Sequence, residues 1–132
     1  MVVFSYYGLE TLLKNALGLE RDNSLYIKLF TNQIQPHPNM KSDYFVQPVF
    51  KGYDKIRLTD WQVDEKVSKA SAAEVTWKPK IDGKLDVAIP IYGYFVTNNY
   101  NKLLWSERID QGPFNIVNSA NWINITPAFN IS

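Results

Sequence analysis

The 132-residue sequence contains no cysteine and a single histidine, His37. Without thiols it can form no disulfide, thiolate metal site or cysteine nucleophile, and one imidazole cannot build a multi-histidine metal site. A large excess of charge of one sign is also lacking, because 14 basic and 13 acidic residues leave a net charge of +1. The basic stripe that neutralises nucleic-acid phosphates is therefore missing, and we expect no nucleic-acid partner.

Long hydrophobic runs are missing as well. The longest apolar stretch is far shorter than the roughly 20 residues that a membrane-spanning helix needs. Residues 1–7 have no basic region followed by an apolar core, so they do not resemble a secretory signal. We therefore expect a protein that is made in the cytoplasm and has no membrane partner.

Apolar residues are nevertheless abundant enough for a core. Hydrophobic side chains make up 45% of the sequence, which excludes intrinsic disorder. A chain of this length is typical of one domain, so we assign residues 1–132 to a single domain.

A helix is predicted near the start of the chain. Leu9, Leu12, Leu13, Ala16 and Leu17 follow the spacing of a single apolar helical stripe. We predict a helix over residues 8–17, which Gly18 then caps. Residues 1–7 are predicted to be an N-terminal arm.

From residue 24 onward the apolar period becomes two. Leu25, Ile27 and Leu29 alternate with polar neighbours that include Lys28, which predicts a half-buried strand. Similar runs predict strands over residues 44–50, 56–61, 75–78, 85–91, 103–109 and 123–131. In the last strand, Ile123, Ile125, Phe129 and Ile131 would share one face, with an interruption at Pro127.

The connections contain recognisable turn residues. The Pro36-His37-Pro38 sequence predicts that residues 31–43 form an exposed loop, and residues 64–71 are polar enough to be a loop. Asp82-Gly83 predicts a hairpin turn, Gly93 a bulge, and the Asn-rich residues 97–102 a second turn. About eight short strands predict an all-β, antiparallel sandwich or jelly-roll-like domain over residues 24–132, preceded by the one short helix.

Catalytic chemistry finds little support in the sequence. His37 lies between prolines and has no recognisable nucleophile to activate, so an exposed loop residue is the favoured interpretation. Four carboxylates could be considered for calcium, but they lack the spacing of a calcium loop: Asp54, Asp60, Asp64 and Glu65. Glycoside hydrolysis uses a pair of carboxylates, and Glu107 and Asp110 could be paired with Glu74 or Asp86. We expect no enzyme, catalytic residue, cofactor or metal.

Aromatic residues are the stronger functional signal. The sequence has 19 of them, which can fill a core or form a binding platform. Trp122 lies on the strand face opposite Ile123 and is expected to be exposed. Phe4, Tyr6 and Tyr7 precede the predicted helix and cannot all pack beneath it, so we expect the arm to dock on a neighbouring subunit.

Several segments carry a family resemblance. They are Gly8-Leu9-Glu10-Thr11-Leu12-Leu13, Gly52-Tyr53-Asp54-Lys55-Ile56-Arg57-Leu58-Thr59-Asp60-Trp61, Tyr92-Gly93-Tyr94-Phe95-Val96-Thr97, Leu103-Leu104-Trp105-Ser106-Glu107-Arg108 and Ile125-Thr126-Pro127. In this order they resemble a family of small tailed-bacteriophage virion structural proteins, which include capsid cement or decoration proteins of mainly β structure. The turn at residues 118–121 departs from the Gly-Asp type expected there. The resemblance implies no catalytic residues.

The expected function is therefore that of a phage virion protein. It would bind the major capsid protein and copies of itself, as a dimer or trimer, and stabilise the head shell. We also predict two contact elements, at residues 1–7 and 32–43. The predicted contact residues are Phe4, Tyr6, Tyr7, Gln35, His37, Met40, Tyr100 and Trp122. A tail or fibre module that binds a host glycan or protein through its aromatic rings is the alternative, and a small hydrolase comes third.

Overall fold

The computed structural model describes residues 1–19 and 24–130. Within these residues the protein is mostly β, with antiparallel sheets and one α-helix near the N-terminus. Ile131, which the sequence pattern places in the last strand, lies outside the described residues.

The helices and strands are short. Helix α1 spans Tyr6–Ala16, and a 3-10 helix spans Ser42–Tyr44. The strands are β1 (Val2–Phe4), β2 (Tyr26–Phe30), β3 (Ile56–Arg57), β4 (Gln62–Asp64), β5 (Lys69–Ser71), β6 (Val75–Trp77), β7 (Ile89–Ile91), β8 (Gly93–Thr97), β9 (Leu103–Arg108), β10 (Phe114–Ile116), β11 (Ile123–Ile125) and β12 (Ala128–Asn130).

The largest sheet has five strands in the order β1-β9-β8-β2-β3. Val96 in β8 pairs with Ile27 in β2 and with Trp105 in β9, and Trp105 in turn pairs with Phe4 in β1. The register shifts between Val96 and Thr97, where Leu104 is the extra residue of a bulge in β9. The N-terminal strand β1 thus lies at one edge of this sheet, beside β9.

Three smaller sheets lie over one face of the five-stranded sheet. They are β10-β7, β11-β6 and β12-β5-β4. Their buried side chains, such as Trp77, Ile91 and Ile116, share one core with Ile27 and Val96 of the large sheet. Burial of this apolar surface is the main stabilising contribution to the layered arrangement.

The opposite face of the large sheet is covered by the loop after β2. Phe30 and Phe95 project from the sheet and pack with Met40 and Phe45 from that loop. Strand β2 is therefore buried on both faces. The prediction of a half-buried strand was wrong for Lys28, which is only 7% exposed.

Helix α1 confirms the predicted helix, although it begins two residues earlier. The Ser5 side chain caps it by accepting a hydrogen bond from Gly8 N at 2.9 Å. The prediction that residues 1–7 form an arm was wrong, because Val2–Phe4 pair with β9 as strand β1. Phe4 consequently packs against the protein's own core rather than extending toward a neighbour.

Two predicted elements in the middle of the chain were wrong. Residues 45–50 form no strand, since Pro48 cannot donate to a ladder and the Asn32 side chain takes the Val46 N–H at 2.9 Å. Conversely, residues 64–71 are not simply a loop. They contribute to β4 and β5, in which Asp64 pairs with Lys69.

The predicted long strand over residues 85–91 is also shorter than expected. It begins at Ile89, and Val87 is 80% exposed. Asp82-Gly83 does not join paired strands, because β6 pairs with β11 and β7 with β10. At Gly93 the chain passes from a small sheet to the large one, and a Cβ there would lie 2.2 Å from Glu107 O. Gly93 therefore redirects the chain, but the bulge lies in β9 at Leu104.

Other predictions agree with the structure. Strands β6 and β9 lie where the alternating patterns place them, and residues 98–102 form the turn between β8 and β9. The final run is divided at Pro127 into β11 and β12, which belong to different sheets. The unusual turn at residues 118–121 is closed by Asn121, whose side chain accepts from Val117 N at 2.9 Å.

Candidate functional site

One end of the molecule presents a cluster of tyrosines around a cleft of about 490 Å³. The start of α1, the loop after β2 and the β8–β9 turn meet there. We call this end the tyrosine surface, and it comprises Tyr7, Met40, residues 41–43 and residues 100–102. Tyr100 is 75% exposed, and Tyr6 and Tyr7 are also exposed. Rings held at a surface in this way are typical of contact sites.

Hydrogen bonds fix the three segments of the tyrosine surface to one another. Tyr6 N donates to Pro38 O at 3.1 Å, which ties the helix to the loop. Asn98 Nδ2 donates to the Tyr7 hydroxyl at 3.1 Å, which ties the helix to the turn. Ser42 Oγ donates to Asn101 O at 2.6 Å. The surface is therefore preorganised, which lowers the entropy lost on binding.

A buried lysine supports the turn from below. Lys28 Nζ donates to Asn101 Oδ1 at 2.6 Å and lies 5.7 Å from the centre of the Phe95 ring. Burial, followed by repulsion from Lys55, lowers the pKa of Lys28. The rim of the cleft carries both signs of charge, on Lys41, Asp43 and Lys102, so its field is weak.

The structure brings several of the predicted contact residues together. Tyr7 and Tyr100 belong to the tyrosine surface. Tyr6 is exposed beside Tyr7 on the helix, and the exposed His37 lies in the adjoining loop, where its carbonyl accepts from Met40 N at 3.1 Å. Met40 also lines the cleft, but it packs mainly in the core and is only 9% exposed.

Three other predicted contact residues lie elsewhere. Phe4 is part of the core. Gln35 lines a different cleft, where its Oε1 accepts from Arg108 Nη1 at 3.5 Å. Trp122 is 51% exposed, as predicted, and its indole N–H donates to Ser119 O at 3.0 Å. Lys78 Nζ lies 4.4 Å from the centre of the Trp122 ring.

Sequence reasoning missed an apolar helix surface. Leu9, Leu13 and Leu17 are 43%, 64% and 72% exposed, and Ala16 is exposed between them. We call these four residues the leucine stripe. The helical spacing revealed the stripe, but only the packing shows that it faces outward.

An aromatic cleft of about 360 Å³ between α1 and the sheets was also missed. Four rings surround it, from Phe4, Trp61, Trp105 and Phe129, with ring centres 5.2 to 6.3 Å apart. The rings come from distant parts of the sequence, so no local pattern joins them. The walls are mostly apolar and can accept an apolar group.

Two of the acidic residues considered for catalysis, Glu107 and Asp110, line one cleft beside Tyr94. Glu107 Oε1 accepts from the Tyr94 hydroxyl at 2.8 Å, and burial followed by the Glu107 charge raises the pKa of Tyr94 well above its usual range. Asp54 and Asp64 each accept a backbone N–H from their own turn. In the part of the chain that the structure describes, no three or more acidic or histidine side chains are grouped for a metal ion.

The length of a helix limits whether it can cross a membrane. Helix α1 has 11 residues, whereas a spanning helix needs about 20. No helix in residues 1–19 and 24–130 is both long and apolar enough to cross a membrane.

No protein-family model, curated protein or solved structure matches the chain. The resemblance to phage virion proteins stays a prediction that these comparisons do not test. The tyrosine surface, the leucine stripe and the aromatic cleft are the features from which function can be inferred.

Proposed function

We propose that the protein is a non-enzymatic structural component of a tailed-phage virion. It binds the major capsid protein and stabilises the head shell, as a decoration or cement protein does. The tyrosine surface supports this proposal most directly, because Tyr7 and Tyr100 present exposed rings on a hydrogen-bonded framework. In the same proposal, the layered sheets form an antiparallel sandwich of the jelly-roll type.

The physical properties of the chain suit attachment to a repetitive shell. Tyrosine supplies contact area at low conformational cost and keeps a hydroxyl for water or a partner. A net charge of +1 limits repulsion between closely spaced copies. Each contact can be modest, since several attached copies gain affinity through multiplicity.

Attachment can be measured with empty capsids of the phage whose genome encodes the chain. The purified protein should co-sediment with the capsids and raise their melting temperature. Tyr100→Ala should weaken co-sedimentation by about tenfold or more, as loss of a contact worth about 1.4 kcal/mol does. Val87→Ala is the matched control, because Val87 is equally exposed but lies outside the tyrosine surface. Wild-type protein that leaves both sedimentation and melting of the capsids unchanged would overturn the proposal.

A second candidate function is supported by Trp122. Its ring is half-exposed and held by the Ser119 carbonyl, as in side chains that stack on sugars. A tail or fibre module would bind a host glycan there. Retention of the protein on host cell-wall glycans that is abolished by Trp122→Ala, with no capsid binding, would favour this second function.

A further inference from the structure

Helix α1 packs against the sheet through a face on which Gly8 and Thr11 are buried. Leu12 and Asn15 are partly buried on the same face. The leucine stripe lies on the opposite side of the helix. An amphipathic helix ordinarily turns its apolar side chains toward the core, so this arrangement is inverted.

The helix cannot bury the leucine stripe by rotating in place. A Cβ on Gly8 would lie 2.0 Å from Leu104 O, so only a glycine allows the helix to approach β9 this closely. Ser5 N donates to Leu104 O at 2.9 Å, and Ser5 Oγ donates to Leu103 O at 2.5 Å. These contacts fix both the position and the rotation of the first helical turn.

We propose that the leucine stripe is the interface through which two copies of this chain associate. A two-fold axis places the same surface of both copies together, so the surface must be complementary to itself. Leu9, Leu13, Ala16 and Leu17 carry no charge, and identical stripes can therefore meet without repulsion. Each copy contributes the same apolar surface and removes that of the other from water.

The charges beside the stripe also fit a second copy. Glu10 and Lys14 lie on the flank of the helix, where Lys14 Nζ is 2.8 Å from Glu10 Oε1. This flank is therefore close to neutral within each copy. Along the described helix, residues 6–16, a strongly charged partner would find no complementary field, whereas an identical helix meets no net repulsion.

The size of the surface sets the strength of the association. The stripe, with the neighbouring exposed Tyr6 and Leu19, presents roughly 500 Å² of apolar surface, within the range of functional patches. With its polar rim it approaches the roughly 600–800 Å² that each partner contributes to a small specific interface. The expected product is a reversible dimer. This inference does not depend on the proposed attachment to capsids.

The mass of the full chain in solution tests the inference. Light scattering should give twice the chain mass at about 100 μM protein, with dissociation on dilution, as expected for a small interface. Leu13→Glu should give the monomer mass, because it would bury two like charges at the interface. Val87→Glu is the matched control on an equally exposed side chain and should remain dimeric. A wild-type monomer at this concentration, or a dimeric Leu13→Glu variant, would overturn the inference.

Cysteine scanning provides a second test that does not require a charged substitution. The chain lacks cysteine, so a single introduced thiol can form a disulfide only with a second copy. Bridging needs Cα atoms within about 7 Å, so Leu9→Cys, Leu13→Cys and Leu17→Cys together sample the stripe. At least one of them should cross-link at least tenfold faster than Val87→Cys under mild oxidation. Equal rates at all four positions would contradict the interface.

Capsid binding separates this inference from the proposed function. A monomeric Leu13→Glu variant that still co-sediments with capsids would show that the two surfaces act independently. If the wild-type protein forms the dimer but does not bind capsids, only the proposed function is overturned.

Discussion

Gly8 of helix α1 lies directly against the backbone of Leu104 in strand β9. The two segments are separated by almost 100 residues in sequence, yet a Cβ on Gly8 would approach Leu104 O to 2.0 Å. Backbone atoms cannot move aside as a flexible side chain can. The position of the helix, and with it the direction of the leucine stripe, therefore depends on the absence of a side chain at residue 8.

Gly8→Ala is expected to destabilise the protein. In an exposed helix the same change stabilises by up to about 1 kcal/mol, because alanine has the higher helix propensity. Here the added methyl group clashes with the strand, and we expect a loss of about 2–3 kcal/mol. Urea unfolding monitored by circular dichroism measures the change. Glu10→Ala on the exposed flank is the control and should stay within about 0.5 kcal/mol of wild type.

The contact between Lys28 and Asn101 can be tested by a double-mutant cycle. Asn101 has φ +59°, so Asn101→Gly removes the side chain without straining the backbone. In the wild-type background it leaves the buried ammonium without its acceptor and should cost about 1–2 kcal/mol.

In a Lys28→Met background the same Asn101→Gly change should cost almost nothing, since no charge then needs the amide oxygen. Unfolding free energies of the four proteins give the coupling. Equal costs of Asn101→Gly in both backgrounds would show that the hydrogen bond contributes no stability.

Alkaline pH should destabilise the fold in part through Tyr53. Burial raises the pKa of Tyr53 to about 12 from its usual value near 10. Because the folded state keeps this proton to higher pH than the unfolded state, the free energy of unfolding falls as pH rises from 10 to 12. Tyr53→Phe should make that decline less steep.

The Tyr53→Phe experiment needs a control for general alkaline effects. Tyr100→Phe alters an exposed hydroxyl and should follow the wild-type curve. Part of the decline should persist in Tyr53→Phe, because the pKa of buried Tyr94 is raised too. Identical slopes for wild type and Tyr53→Phe would contradict the assignment.

Two tryptophans next to Ile123 should differ sharply in how much they contribute to the free energy of unfolding. Trp77 pairs with Ile123, is fully buried and donates from its indole nitrogen to Asp54 O at 2.8 Å. Trp77→Phe should cost about 2–4 kcal/mol through a cavity and an unpaired carbonyl. Trp122→Phe replaces a half-exposed indole by a smaller ring and should cost less than about 1 kcal/mol. Thermal unfolding compares the two, and similar losses would contradict the burial.

The sequence predicted a helix or strand best where the local apolar pattern and the packing of the folded protein favour the same structure. Helix α1 and strand β6 were predicted because their apolar periods are regular and uninterrupted. The run over residues 85–91 has an equally regular pattern, but only residues from Ile89 onward find a partner in β10. An alternating pattern shows which side chains could share a face, whereas strand formation also requires a neighbouring strand.

The surfaces of the candidate sites were predictable only in part. Exposure of Trp122 followed from its position opposite Ile123, which is a local relation. Burial of Phe4 and Met40 depends on β9 and on the loop covering Phe30, so it required the fold. The outward direction of the leucine stripe likewise depends on the contact of Gly8 with Leu104.

The pairing of β1 with β9 also constrains the order of folding during synthesis. Val2–Phe4 can join the sheet only after Leu103–Arg108 have been made, and the cap contact of Ser5 with Leu103 waits for the same segment. At roughly 5–20 residues per second, the helix spends several seconds on the ribosome without its docking surface. The face of the helix that Gly8 and Thr11 bury against the sheet is open to solvent during that time, so the nascent chain must stay soluble until the late strand emerges.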